Sequence, residues 1–215
     1  ELSTEFDIDL DRETARQLRA VLGRVPWGTD PAAAEQAIVG TQPGGAYQPG
    51  AARLTVVARE HLRSEVIELA GLFLGRDLTY GEIVAHELTH ALQHQHFGLD
   101  PPRGAATNRD LRLAHAALAE GDATLVGFRQ GLGGLVTDLA SFLRFARRHA
   151  PDMGADVPRF YQEEFKFPYL DGGPLVLALH AEGGFAAVDR AHRAPPLSTE
   201  QVLHPEKYLR GDAPP

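Results

Sequence analysis

Residues 79–98 read TYGEIVAHELTHALQHQHFG, and the fold turns on how this stretch is read. Thr79 and Glu82 have the T-x-x-E form of a capping box, in which the two side chains satisfy each other's free backbone N–H groups at a helix start. A helix is therefore expected to begin at Thr79 and run to about Phe97. Gly98, followed by Asp100-Pro101-Pro102, ends it. His86 and His90 lie four residues apart on this helix and so share one face. Both can present a ring nitrogen to one ion, with Glu87 beside them near a fourth coordination position. Ile83, Val84, Leu88, Ala91 and Leu92 are the apolar residues expected to anchor the helix in a core.

With 10 His and 15 Glu in 215 positions, an H-E-x-x-H pattern arises by chance about 3% of the time. A random match would also rarely fall mid-helix behind a capping box. Cysteine is absent, which excludes disulfides, thiolate nucleophiles, iron–sulfur clusters and Cys-based zinc sites. Any metal must therefore be held by His and carboxylates. The charge sum, 21 Lys+Arg against 29 Asp+Glu, gives −8 and argues against a nucleic-acid partner. Apolar residues make up 43%, charged residues 23%, and no apolar run approaches the length of a membrane span. The length suits one ordinary domain over residues 1–215. The chain starts at Glu1 rather than Met, which points to a processed or trimmed form.

The remaining pattern is mostly helical. Two short helices are expected in the first forty residues, and another from Ser64 to Leu74. The Gly/Pro-rich stretch from Pro43 to Gly50 disfavours regular structure, whereas Arg53–Arg59 (RLTVVAR) has the β-branched centre of a strand. Asn108 or Thr107 caps a long helix that ends at the glycines from Gly131, and another helix spans Leu135–His149. Shorter helices are expected over 156–166, 174–181 and 185–192. Ser198-Thr199-Glu200-Gln201 repeats the capping-box pattern before a short helix that must stop by His204, because Pro205 follows. The expected class is α+β, predominantly α-helical, with a small β-sheet.

A catalytic zinc normally takes three protein ligands. His96 lies six residues after His90, but Gln93 stands where a glycine would let the chain turn back toward the ion. Glu120 lies on the next long helix, in LAEGDAT, among small residues that would let the two helices approach closely. Glu120 is the favoured third ligand, His96 the rival, and Glu182 and Asp122 remain as further alternatives. Asp122, His115 and Glu182 are also candidates for orienting the ligands.

HELTH with a downstream helical Glu resembles the gluzincin branch of zinc metallopeptidases. AHELTHALQHQHF, LAEGDAT and PPLSTEQVLHPEKYL together resemble a set of bacterial and archaeal secreted or surface proteins carrying an H-E-L-x-H-A-L-Q-x-Q-H-F run, over roughly residues 47–210. The resemblance implies a zincin-like single domain with an active-site helix, Zn2+ held by His86, His90 and Glu120, and Glu87 as catalyst. It also implies a secreted or cell-surface location. His94 stands where that group carries an acidic residue.

The expected activity is hydrolysis of peptide bonds in a peptide or protein substrate, with Glu87 as general base. His204 is the candidate catalytic donor for the developing oxyanion, with Tyr208 and Tyr169 as others. The alternative is a non-catalytic, zinc-stabilised surface or binding protein, but a structural site has no need of Glu87 beside its ligands.

Overall fold

The computed structural model describes residues 23, 25–26, 29–30, 33–34, 44–58, 80–98, 108–131, 139–149 and 157–214. They fall into two compact units, one within 1–41 and 151–165 and the other within 42–150 and 166–215. Apart from residues 33–34, which are helical, the helices expected before residue 41 and over 64–74 lie outside the described residues, as does Thr79.

In the first unit Val25, Ala34, Val157 and Tyr161 are buried together, with Phe160 and Phe165 packed on them. The second unit begins with a hairpin. Strand β1 (Gly45–Gln48) pairs antiparallel with β2 (Arg53–Val56), Ala46 opposite Thr55 and Tyr47 opposite Leu54. A single 3-10 turn, Pro49–Ala51, joins them, and Ala52 adopts the left-handed conformation to close it. The sequence expectation holds for β2 and fails for β1, which lies inside the Gly/Pro-rich stretch. The glycines serve close approach rather than a loop: a Cβ at Gly45 would stand 2.8 Å from Glu87 Cγ, and one at Gly44 would strike Ile83.

Four longer helices follow among the described residues. α1 spans Tyr80–Phe97 and stops at Gly98, which takes φ +75° and returns its N–H to the His94 carbonyl. α2 spans Arg109–Gly131, capped by Asn108, whose side-chain oxygen accepts from the Leu111 N–H at 3.0 Å. α3 is Leu139–His149. α4 runs from Arg159 to Arg193, broken only at Gly183 and Gly184, where the backbone leaves helical geometry. The separate short helices expected over 156–166 and 174–181 are thus one element. Pro168, Gly172, Gly173 and Pro174 do not interrupt it, because tertiary contact outweighs their poor helix propensity. Gly172 lies directly against the Ala117 carbonyl of α2, and Gly173 against Leu143 of α3.

The core of the second unit is built from α2, α3, α4 and α5 (Thr199–Leu203). Leu118, Leu175, Val176, Val188 and Val202 are at most 2% exposed, each contributing on the order of 2 kcal/mol by burial. α5 starts as expected: Ser198 accepts from the Gln201 N–H. Gln201 instead takes the Leu197 N–H at 2.7 Å and donates to the Asp212 carbonyl, fastening the end of α6 (Pro205–Arg210). The molecule is predominantly helical with one small two-stranded antiparallel sheet.

Candidate metal centre

α1 does not bury the face its apolar residues suggest. Leu88 and Leu92 are 50% and 54% exposed, while Glu87, Thr89 and Gln93 are the buried side chains. The row His86–His90–Gln93 is turned toward α2, so the inward face is the polar one and the leucines take the opposite side. α2 can approach closely because Gly127 packs on Glu82 and His86, where a Cβ would stand 3.0 Å from the Glu82 carbonyl. Ala117 and Gly121, expected to make room for α1, instead meet Gly172 of α4. α2 is therefore gripped on two sides by contacts that only small residues permit.

Glu120 lies between these contacts. Its Oε2 is 3.1 Å from His86 Nε2 and 3.3 Å from His90 Nε2, and the two ring nitrogens are 3.1 Å apart. Around a tetrahedral zinc with bonds of about 2.0–2.1 Å, ligand atoms stand about 3.3 Å apart. Three donor atoms of the right chemistry thus already form one face of such a tetrahedron. Among the described residues this is the one group of three or more His and carboxylate side chains so arranged, and it can hold a metal ion.

The electrostatics fit mutual dependence. Burial alone would push the Glu120 carboxyl up, but hydrogen bonds and charge from His86 and His90 outweigh it and hold it down to about 2. Burial likewise pulls His90 down, yet Glu120, with help from Gln93 and Glu87, holds it above its ordinary 6.5. Burial raises Glu82, partly offset by His86 one turn away.

Glu87 is 8% exposed beneath Gly45, and its charge acts on both His90 and Tyr169. Tyr169 of α4 stacks near His86, ring centroids 6.4 Å apart, and its hydroxyl is hydrogen-bonded to Glu120. Burial first, then the Glu120 and Glu87 charges, keep that hydroxyl protonated far above its ordinary 10. Of the oxyanion candidates, Tyr169 alone is tied to the cluster. His204 is half exposed with Nδ1 facing Glu206 at 3.4 Å, and the Tyr208 hydroxyl donates to the Ala194 carbonyl.

His96 is exposed and lies against Phe97, so it takes no part in the cluster. His94 binds the Tyr47 hydroxyl at 2.9 Å, linking the hairpin to α1. Glu182 is exposed, and His115 keeps a buried Nε2 without a partner. Asp122 is buried and does reach the site, through Gln93. Gln93 is the residue at the cluster that sequence reasoning passed over as a partner of His90; its spacing of three from His90 on a helix was the available signal. Compared with known protein families, curated proteins and solved structures, the chain matches none.

Proposed function

We propose that the protein is a zinc-dependent peptidase with Glu87 as its general base. The observation that carries the proposal is the closure of His86, His90 and Glu120 into one donor face with the carboxylate of Glu87 beside it. Zinc held there would supply a water acidified toward neutral pH and a polarised substrate carbonyl. Glu87 takes the proton of the attacking water and returns it to the leaving nitrogen. Tyr169, kept protonated, would turn its one hydroxyl proton from Glu120 to the developing oxyanion, and its place at the cluster supports giving it this role ahead of His204 or Tyr208. The resemblance of the three sequence blocks to secreted and surface proteins extends the proposal to a peptide or protein substrate met outside the cytoplasm. No described helix is long and apolar enough to cross a membrane.

Glu87→Gln is the test. It should leave one zinc per chain, measured by metal analysis after dialysis, and abolish cleavage of a peptide library. One observation favours a second reading, a site whose ion only ties helices together: β1 covers Glu87 so closely that Gly45 has no room for a side chain. Wild-type protein that binds one zinc and cleaves nothing would select that reading.

A further inference from the structure

Gln93 makes three side-chain hydrogen bonds inside the fold and commits both of its amide protons. Its Nε2 donates to the Ala119 carbonyl at 3.1 Å and to Asp122 Oδ2 at 2.9 Å, and its Oε1 lies 2.9 Å from His90 Nδ1. With both amide protons committed to acceptors, only the oxygen is left for His90. In the neutral ring that a metal requires, His90 must then donate from Nδ1–H, which leaves Nε2 as the nitrogen with a lone pair facing Glu120 and His86. Asp122 is itself held: it accepts from His192 Nε2–H at 3.0 Å. The His192 ring stacks on Phe97, centroids 4.9 Å apart and nearly parallel, and the Arg193 guanidinium lies over the same Phe97 ring, 5.1 Å from its centroid. The chain of contacts therefore runs from the last turn of α4, through α2, to one imidazole on α1.

We infer that Gln93, supported by Asp122 and His192, is the positioning residue of the ligand His90. It selects the ring tautomer that offers Nε2 to the metal and fixes the ring's orientation. The inference rests on the reading that His86, His90 and Glu120 hold zinc. Metal-ligating histidines commonly donate their second N–H to a carboxylate, which makes the ligand more basic. Here a neutral amide stands at that place and the carboxylate is set back behind it. The ligand's geometry is fixed while less negative charge is fed to the ion, so more of the ion's charge remains for the substrate carbonyl and the attacking water.

Three variants test this in the zinc-loaded protein, with affinity measured by chelator competition and the His90 Nδ1–H proton observed by NMR. Gln93→Leu keeps the volume and removes both hydrogen-bonding ends. It should lower zinc affinity by roughly 10- to 100-fold, the usual effect of losing a ligand's supporting partner, and the slowly exchanging Nδ1–H resonance should disappear. Gln93→Glu keeps an acceptor for His90 and can share one proton with Asp122; it should restore the protected Nδ1–H and bind zinc at least as tightly as wild type. His192→Ala should weaken binding less than Gln93→Leu. If Gln93→Leu binds zinc like wild type, or if wild-type His90 shows no protected Nδ1–H, the inference is overturned. That second measurement is made on the wild-type chain and stands even where a variant does not fold. Wild-type protein that binds no zinc would instead overturn the metal reading itself.

Discussion

At the scale of single residues, the site depends on which side chain completes the ligand set. Glu120 is the residue whose oxygen stands 3.1 and 3.3 Å from the two ring nitrogens, and His96 stands apart from them. Glu120→Ala should lose zinc while His96→Ala retains it, as metal analysis of the purified variants will show; the reverse pattern would point to a three-histidine site. The same residues give the metal-free protein a characteristic pH dependence. Glu120 is held below its ordinary 4.5, down to about 2, so its contribution is complete above 4.5 and is lost as pH falls toward 2. His90 is held above 6.5, so its contribution is complete below 6.5 and is lost as pH rises through the folded-state value. Urea midpoints measured in chelator should therefore be highest between these limits and decline on both sides. A midpoint that keeps rising through neutral pH would contradict the His90–Glu120 pairing.

At the scale of elements, close helix contact is made by backbone rather than by side chains. Gly172 rests on the Ala117 carbonyl and Gly121 on the Gly172 backbone, so a methyl group at either glycine collides with main chain that cannot rotate away. Gly172→Ala should cost about 1–3 kcal/mol, the range for overpacking a closed interior, despite alanine's better helix propensity. Denaturant titration checks it, and an unchanged or raised midpoint would count against this packing. These glycines also explain what the sequence could and could not convey. The H-E-x-x-H helix and its end at Gly98 were legible because both depend on residues within a few positions of one another. Glu120 was legible because alanines and Gly121 surround it, although the partner they admit proved to be α4 for Ala117 and Gly121, with Gly127 admitting α1. The division of α4 into short pieces and the loss of β1 share one cause. Gly44, Gly45, Gly172 and Gly173 read locally as chain breakers, yet each is placed for contact with residues 30 to 55 positions away, which no local pattern reports. The exposure of Leu88 and Leu92 has the same origin, since the face α1 presents inward is chosen by what α2 and β1 bring to it.

At the scale of the whole molecule, the second unit carries an apolar core on α2–α5 and a polar centre shared by α1, α2 and α4. No residue of α1 belongs to that apolar core. The fully buried side chains of α1 are Glu87, Thr89 and Gln93, and its apolar Ile83, Val84, Ala91 and Phe97 are only partly buried, so desolvation weighs more against its docking than in helices drawn in by hydrophobic burial. A helix held this way should open on its own before the rest of its unit does. Amide hydrogen exchange of the metal-free protein should show the α1 amides exchanging through a local opening, well ahead of those in α2 and the Leu175–Leu179 segment of α4. Saturating zinc should slow α1 selectively, by about 2.7 kcal/mol of added opening free energy at a hundredfold excess over Kd. Equal exchange rates in α1 and α2 without metal would contradict it. Under the zinc reading this order of opening bears on protein turnover: without an ion the chain would release its most histidine-rich helix first, Leu88 and Leu92 already facing outward on it, offering cellular proteases an early cut and tying the lifetime of the molecule to metal supply.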